Sequence, residues 1–341
     1  MNSTTAASSL ARQQLGELVT SFRAHLNRVV VFINGKGGAG KTTLTANLGG
    51  QLANFQVQAG TGGRILLIQL DHQGDLGLDL NFRGASGDDD GQSIVNVMLG
   101  AGGLNVLKDV RPNLDVIPAG KSLENVANLL KGSDVKAKRL ARLRFVEAMA
   151  NLAKDYEWVL VDCPPGDHEL QVLGLILARW IIIPAQFDRA SRYGLEGVND
   201  AVEDAEELNP DMELLGVLMF AFDRKELRKV TKDGEVVAYR EVGQRARVRK
   251  RLQKDLAEIG SDAPVFEAVI SNNRAVAEDC REVGRLAAEV ADASANPAWR
   301  KERRAKGLAV FGNDSAEALA ADYEDAAIEI FTLAKTQEAA E

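Results

Sequence analysis

The sequence is poor in cysteine. Cys163 and Cys280 are the whole complement, and no CxxC pair occurs. Two isolated thiols exclude a disulfide framework and a structural zinc site, and they point to a reducing compartment. No apolar run approaches the length of a membrane span. Met1 to Ser9 is small and polar and lacks the basic-then-apolar layout of a signal peptide. The expectation is a soluble cytoplasmic protein whose first residues are disordered. A positive coat is missing as well. The net charge of −8 argues against a protein that is basic all over, but leaves room for a local basic face. No internal repeat is present.

What remains is ordinary globular material. Hydrophobic residues make up 45% and charged residues 26% of 341 positions. That length holds one large α/β domain or two smaller ones. One stretch organises it: Gly35-Lys36-Gly37-Gly38-Ala39-Gly40-Lys41-Thr42-Thr43. It follows the apolar run Val29 to Ile33 and precedes a helical pattern from Leu44 to Leu52. Gly35 to Thr42 fits G-x-x-x-x-G-K-[ST] at every fixed position, in the strand–loop–helix context that makes the motif credible. Glycines let successive N–H groups converge on phosphate oxygens, and the new helix adds its positive end. Lys41 is expected on the β- and γ-phosphates and the Thr42 hydroxyl on Mg²⁺.

Before that loop, Leu10, Leu15, Leu18, Val19, Phe22 and Leu26 recur at helical spacing, so a leading helix is expected. It either packs on the domain's edge or docks a partner. Apolar strands are expected at 29–34, 64–70, 113–118, 157–162, 180–184, 214–220 and 264–270, alternating with helical stretches. That pattern predicts an α/β fold: a mostly parallel twisted sheet of about seven strands with helices on both faces. Ligands of such sheets bind outside the carboxyl ends of the strands. Gln56 to Gly63 reads as a loop, and Gly84 to Gly91, with Asp88, Asp89 and Asp90, as an exposed acidic loop. A small, polar stretch from Ala291 to Pro297 precedes a basic run, Arg300 to Lys306, and a tail helix from about Ser315 to Lys335. The expected organisation is an N-terminal segment over 1–28, a P-loop domain over 29–290, and a linker with a C-terminal helix over 291–341.

Two carboxylates end apolar strands. Asp162 closes Val159-Leu160-Val161 and is expected to hold Mg²⁺ through water, the Walker B role. Asp71 follows Arg64 to Leu70 and is expected to orient the attacking water and to lie near the metal. Gly74 gives that segment freedom to move. His72 is a lone histidine and reads as a surface or packing residue.

The loop's second lysine makes the pattern specific. Lys36 to Thr43 resembles the deviant Walker A box of the ParA/MinD family. Ile68 to Gly74 resembles that family's D-x-D-P-Q-G segment, Leu160 to Pro165 its Walker B, and Ile183 to Gln186 with Gly194 to Gly197 its next strand and helix. The resemblance spans about 29 to 290. It implies a Mg²⁺-dependent ATPase in which Lys36 reaches across an ATP-sandwiched homodimer, Thr43 meets the α-phosphate, Asp71 positions water, and Asn272 and Asn273 lie near adenine. Catalysis is thus assigned to Lys36, Lys41 and Asp71. Gln69 stands where the family has its first aspartate and His72 where it has proline, which implies slow hydrolysis.

Family members differ in what the dimer binds. The acidic tail does not fit a membrane-binding helix, so no membrane partner is expected. In 240–254, Arg245, Arg247, Arg249, Lys250 and Arg251 crowd a stretch whose apolar residues Val248, Leu252, Leu256 and Ile259 recur every three or four positions. Arg224, Lys225, Arg228 and Lys229 precede it, and Arg300 to Lys306 is a second candidate. Such a face neutralises phosphates without reading sequence; a merely solvated helix would look similar. The segment before the first strand is too short for a helix-turn-helix domain, so the expected partner is a separate ParB-like centromere-binding protein. The resulting expectation is a nucleoid-associated partition ATPase. The rivals are a cargo-positioning ATPase that needs no DNA and a P-loop kinase or synthetase with a small-molecule acceptor.

Overall fold

The computed structural model describes residues 20–186, 198–223, 227–232, 235–307, 310 and 313–340. Its strands are β1 (Val29–Phe32), β2 (Ile65–Gln69), β3 (Leu107–Arg111), β4 (Leu114–Ile117), β5 (Trp158–Asp162), β6 (Trp180–Ala185), β7 (Glu213–Phe222), β8 (Leu227–Lys232), β9 (Glu235–Glu241) and β10 (Val265–Ser271). The helices are α1 (Lys41–Ala59), α2 (Leu76–Asp79), α3 (Gln92–Leu99), α4 (Leu123–Gly132), α5 (Val135–Ala153), α6 (His168–Leu175), α7 (Asn199–Glu206), α8 (Gly243–Glu258), α9 (Arg274–Val283), α10 (Ala287–Ser294), α11 (Pro297–Ala305) and α12 (Asn313–Glu338).

Eight strands form one sheet in the order β10-β7-β6-β1-β5-β2-β4-β3. Every pairing is parallel except β3 against β4. The alternation of β1 shows why both faces are covered. Val29 and Val31 enter one core with α4, α5 and α6, while Val30 and Phe32 enter the other with α1, α10 and α12.

All seven expected strands are present. The eighth, β3, escaped the apolar-run criterion because Lys108, Asp109 and Arg111 alternate with its apolar residues, as suits an antiparallel edge. The hairpin β8–β9, a separate two-stranded sheet, was also not anticipated. Helix α1 runs through Ala59, so the expected loop at Gln56 begins four residues late. Gly60, at φ 65°, is the left-handed cap that stops the helix.

Of the leading helix, residues 10–19 lie outside the described residues, and residues 20–23 are helical. Arg23 donates to the carbonyls of Ile176 and Ala178 at 2.8 Å each, which ties this end to the sheet's amino-terminal rim. The tail helix α12 is built into the core. Leu319, Tyr323, Ala326 and Ile330 are buried, and Phe331 packs edge-on to Trp158 at 4.9 Å. Its acids also serve a purpose. Glu329 accepts from the N–H groups of Glu267 and Ala268, and Asp322 from that of Ser271, along the outer strand β10. No helix among the described residues is long and apolar enough to cross a membrane.

Candidate nucleotide site

The site is built where β1, β5 and β2 end side by side. Phe32 and Gln69 both stand in register with Asp162. Beyond Phe32 the chain turns into the glycine loop, and Asn34 fixes that turn. Its amide donates to the Pro184 carbonyl at 2.7 Å, and its oxygen accepts from the Lys36 N–H at 2.8 Å. Gly38 and Gly40 adopt φ of 73° and 85°. Gly40 caps α1, and a Cβ there would lie 2.4 Å from the Phe220 ring, so glycine is required twice over. Gln186 donates to the Gly38 carbonyl at 2.7 Å.

Lys41 is buried, and its Nζ donates to the Lys36 carbonyl at 3.0 Å. Burial lowers its pKa, while Asp162 and Asp71 counter that by favouring the ammonium. Lys36 itself is half-buried at the loop's entrance. Asp162 is fully buried, and neither carboxylate oxygen has a hydrogen-bond partner at proper geometry. Burial pushes its pKa up to about 7, although the nearby Thr42 hydroxyl and Lys41 favour the charged form. Asp71 is buried with Oδ1 accepting from the Gln73 N–H at 2.9 Å, so the strand-tip carboxylate is held in a turn. His72 is a half-buried neighbour, 3.9 Å from that oxygen. Gln69, where the family resemblance implied an aspartate, is fully buried. With its amide oxygen turned toward α2 it accepts from the N–H groups of Asp75 and Leu76 at 3.1 Å each. An amide thus caps α2 in the carboxylate's place.

These groups surround a cleft of about 400 Å³ lined by Gly37 to Thr43, Asp71, Gln73, Asp75, Pro165 and Phe220, with α9 as its far wall. Thr43 donates to Asp79 at 3.4 Å. The loop, Asp71 and Asp162 therefore come together as expected. Asn272 and Asn273 do not join them. The Asn273 side chain caps α9 at Val276 and donates to the Ser315 carbonyl, and the cleft wall is formed by the residues just beyond. Sequence reasoning missed Asn34, Phe220 and the cleft face of α9. Arg274, Ala277, Glu278 and Arg281 follow helical spacing, but nothing in the sequence says what that face meets.

The basic stretch requires a correction. Arg245 and Arg249 are buried rather than displayed. Glu241 accepts from both, at 2.5 and 2.7 Å, and Arg249 also donates to the carbonyls of Val265 and Phe266. Both arginines thus tie α8 to the end of β9, and Arg249 joins it to β10. Arg247, Lys250, Arg251 and Lys254 remain exposed, although Arg251 and Lys254 each face an acid one turn on. The side chains of Arg228 and Lys229, like Arg224, Lys225 and 194–197, lie outside what is described.

The sequence matches the family described as AAA domain over residues 27–214. It is 33% identical over 204 residues to the chromosome partitioning protein ParA of Caulobacter vibrioides, covering 58% of this chain and 71% of that one. Among solved structures, cobyrinic acid a,c-diamide synthase of Mycobacterium smegmatis with bound ADP and magnesium is 25% identical. It has a TM-score of 0.52 and covers 84% of this chain and 99% of that one. An ATP complex of Cyanothece McdA shares the fold at TM-score 0.57 and 17% identity, over 84% of this chain and 98% of that one. With a domain match over more than half its length and a ParA among its relatives, this chain belongs to the AAA domain family and, within it, to the ParA/MinD superfamily.

Proposed function

We propose that the chain is a Mg²⁺-dependent ATPase of DNA partition that works as an ATP-closed homodimer. The observation that carries the nucleotide reading is Asp162. A fully buried carboxylate with two unpartnered oxygens beside a P-loop lysine and threonine fits a hydrated cation. Thr42 would hold the ion directly and Asp162 through water, with Asp71 nearby. When bound, the ion would supply neutralisation of the charge on the phosphates. The chain's own groups supply the rest. Loop N–H groups and the α1 terminus bind phosphate, Lys41 neutralises it, and Asp71 orients a water. Lys36 of each subunit would reach the partner's nucleotide.

The DNA face is assigned to Arg247, Lys250, Arg251 and Lys254 on α8, and the trigger for hydrolysis to a ParB-like partner on the nucleoid. A cargo-positioning ATPase that needs no DNA is the rival. Binding of a fluorescent ATP analogue tests the core of the reading: Lys41→Ala should abolish it. Lys36→Ala should keep binding but lose the ATP-dependent dimer in size-exclusion chromatography; an unimpaired dimer would remove the cross-subunit role. Duplex DNA binding with ATP at two salt concentrations separates the rivals. Absence of any salt-sensitive binding favours the cargo reading.

A further inference from the structure

Helix α9 turns Arg274, Ala277, Glu278 and Arg281 into the cleft, the stripe of a single helical face. Arg281 on that stripe is not free to swing. Its Nε donates to Asp79 Oδ1 at 2.8 Å, its Nη2 lies 3.5 Å from Oδ2, and its Nη1 is 3.8 Å from Asp75. Asp79 is buried at the end of α2, and the guanidinium offsets the penalty that burial places on its charge. The same Oδ2 accepts from the Thr43 hydroxyl in the first turn of α1. One carboxylate therefore joins the P-loop helix to a cation from the chain's other end. About half of the Arg281 side chain stays exposed, on the Thr43 side of the loop.

An arginine clamped at Nε has already lost most of its rotamer freedom, so a ligand that meets its remaining donors gains without the ordering penalty. Its planar fork suits a phosphate better than an ammonium would. In a P-loop the lysine reaches the β- and γ-phosphates, while the backbone cradles α and β. A cation past Lys41 beside Thr43 meets the α end.

We propose that Arg281 is a nucleotide-binding residue, held by Asp79 so that its guanidinium contacts the α-phosphate of the nucleotide seated on Gly35–Thr43. This rests on the nucleotide reading above. The test measures affinities of wild type and Arg281→Ala for ATP, ADP and inorganic pyrophosphate, with Mg²⁺. The expected result is an equal loss of about tenfold for ATP and ADP and no change for pyrophosphate, which has no α-phosphate to offer; one good charge-assisted contact is of that size. Arg281→Lys should recover part of the loss. Unchanged ATP and ADP affinities, or an equal loss for all three ligands as from a distorted loop, would overturn the assignment. Lys41→Ala separates the two readings. If it still binds ATP, the nucleotide site itself is wrong; if it does not and Arg281→Ala binds normally, only the role of Arg281 fails.

Discussion

A carboxyl group pushed up to about 7 by burial keeps its proton at pH values where the unfolded chain has lost it. For Asp162 the sign is therefore opposite to that of a salt-bridged aspartate. Without nucleotide, its contribution to stability is neutral below about pH 4 and becomes unfavourable as pH rises toward 7. The rise from 3.8 to about 7, at ~1.4 kcal/mol per pH unit, bounds that penalty at about 4 kcal/mol. Asp162→Asn should accordingly melt higher than wild type at pH 8, with the gap narrowing below pH 7 and closing near pH 4, in differential scanning calorimetry without ligand. Mg²⁺ and ATP should reverse the order, because they stabilise the charged form only where a carboxylate is present. The positions of Asp162, Asp71 and the loop were legible because each sits where an apolar run stops, and strand ends in a parallel sheet are where ligands bind. The role of Gln69 was not legible. An amide in place of a carboxylate reads as a loss until the N–H groups of Asp75 and Leu76 are seen in front of it.

Helix α8 shows how element-level reading goes astray. Its charge run and its apolar stripe were both read from the sequence, and the stripe holds at Leu252 and Leu256, which are buried, but not at Ile259, which is exposed beyond the end of the helix. What spacing alone could not say is that Glu241, at the end of β9, pairs with Arg245 and Arg249 and keeps both off the exposed face, Arg249 against β10. The hairpin that delivers Glu241 was not anticipated, although Asp233-Gly234 stands between Val230 and Val236-Val237 in the sequence. Arg249→Ala should therefore cost about 3 kcal/mol of stability, by leaving Glu241 and the carbonyls of Val265 and Phe266 without their donor. Thermal or urea melts check this. A combined Arg247→Glu and Lys250→Glu variant should melt within about 0.5 kcal/mol of wild type and lose DNA affinity, since exposed charges matter little to folding. Equal DNA affinity across a salt titration would move the interface off α8.

The main body is two apolar layers around the eight-stranded sheet, and every strand of that sheet but β3 could be read because strands covered on both faces are largely apolar. The tail helix looked separable from the domain, since small, polar residues precede it. Yet Phe331 and Tyr323 sit in the same core as β5 and α1. Phe331→Ala should cost about 3 to 5 kcal/mol, measured by denaturant unfolding, as expected for a core aromatic rather than a tether. The pairing of Glu329 and Asp322 with the N–H groups of β10 has a further consequence for assembly. An unguarded outer strand recruits another chain by continuing the sheet; here that margin is sealed by carboxylates, and the opposite one, β3, is studded with charge. Any array this protein builds therefore cannot extend the eight-stranded sheet, and a chain shortened before Asn313 should precipitate into strand-joined aggregates that the intact protein resists.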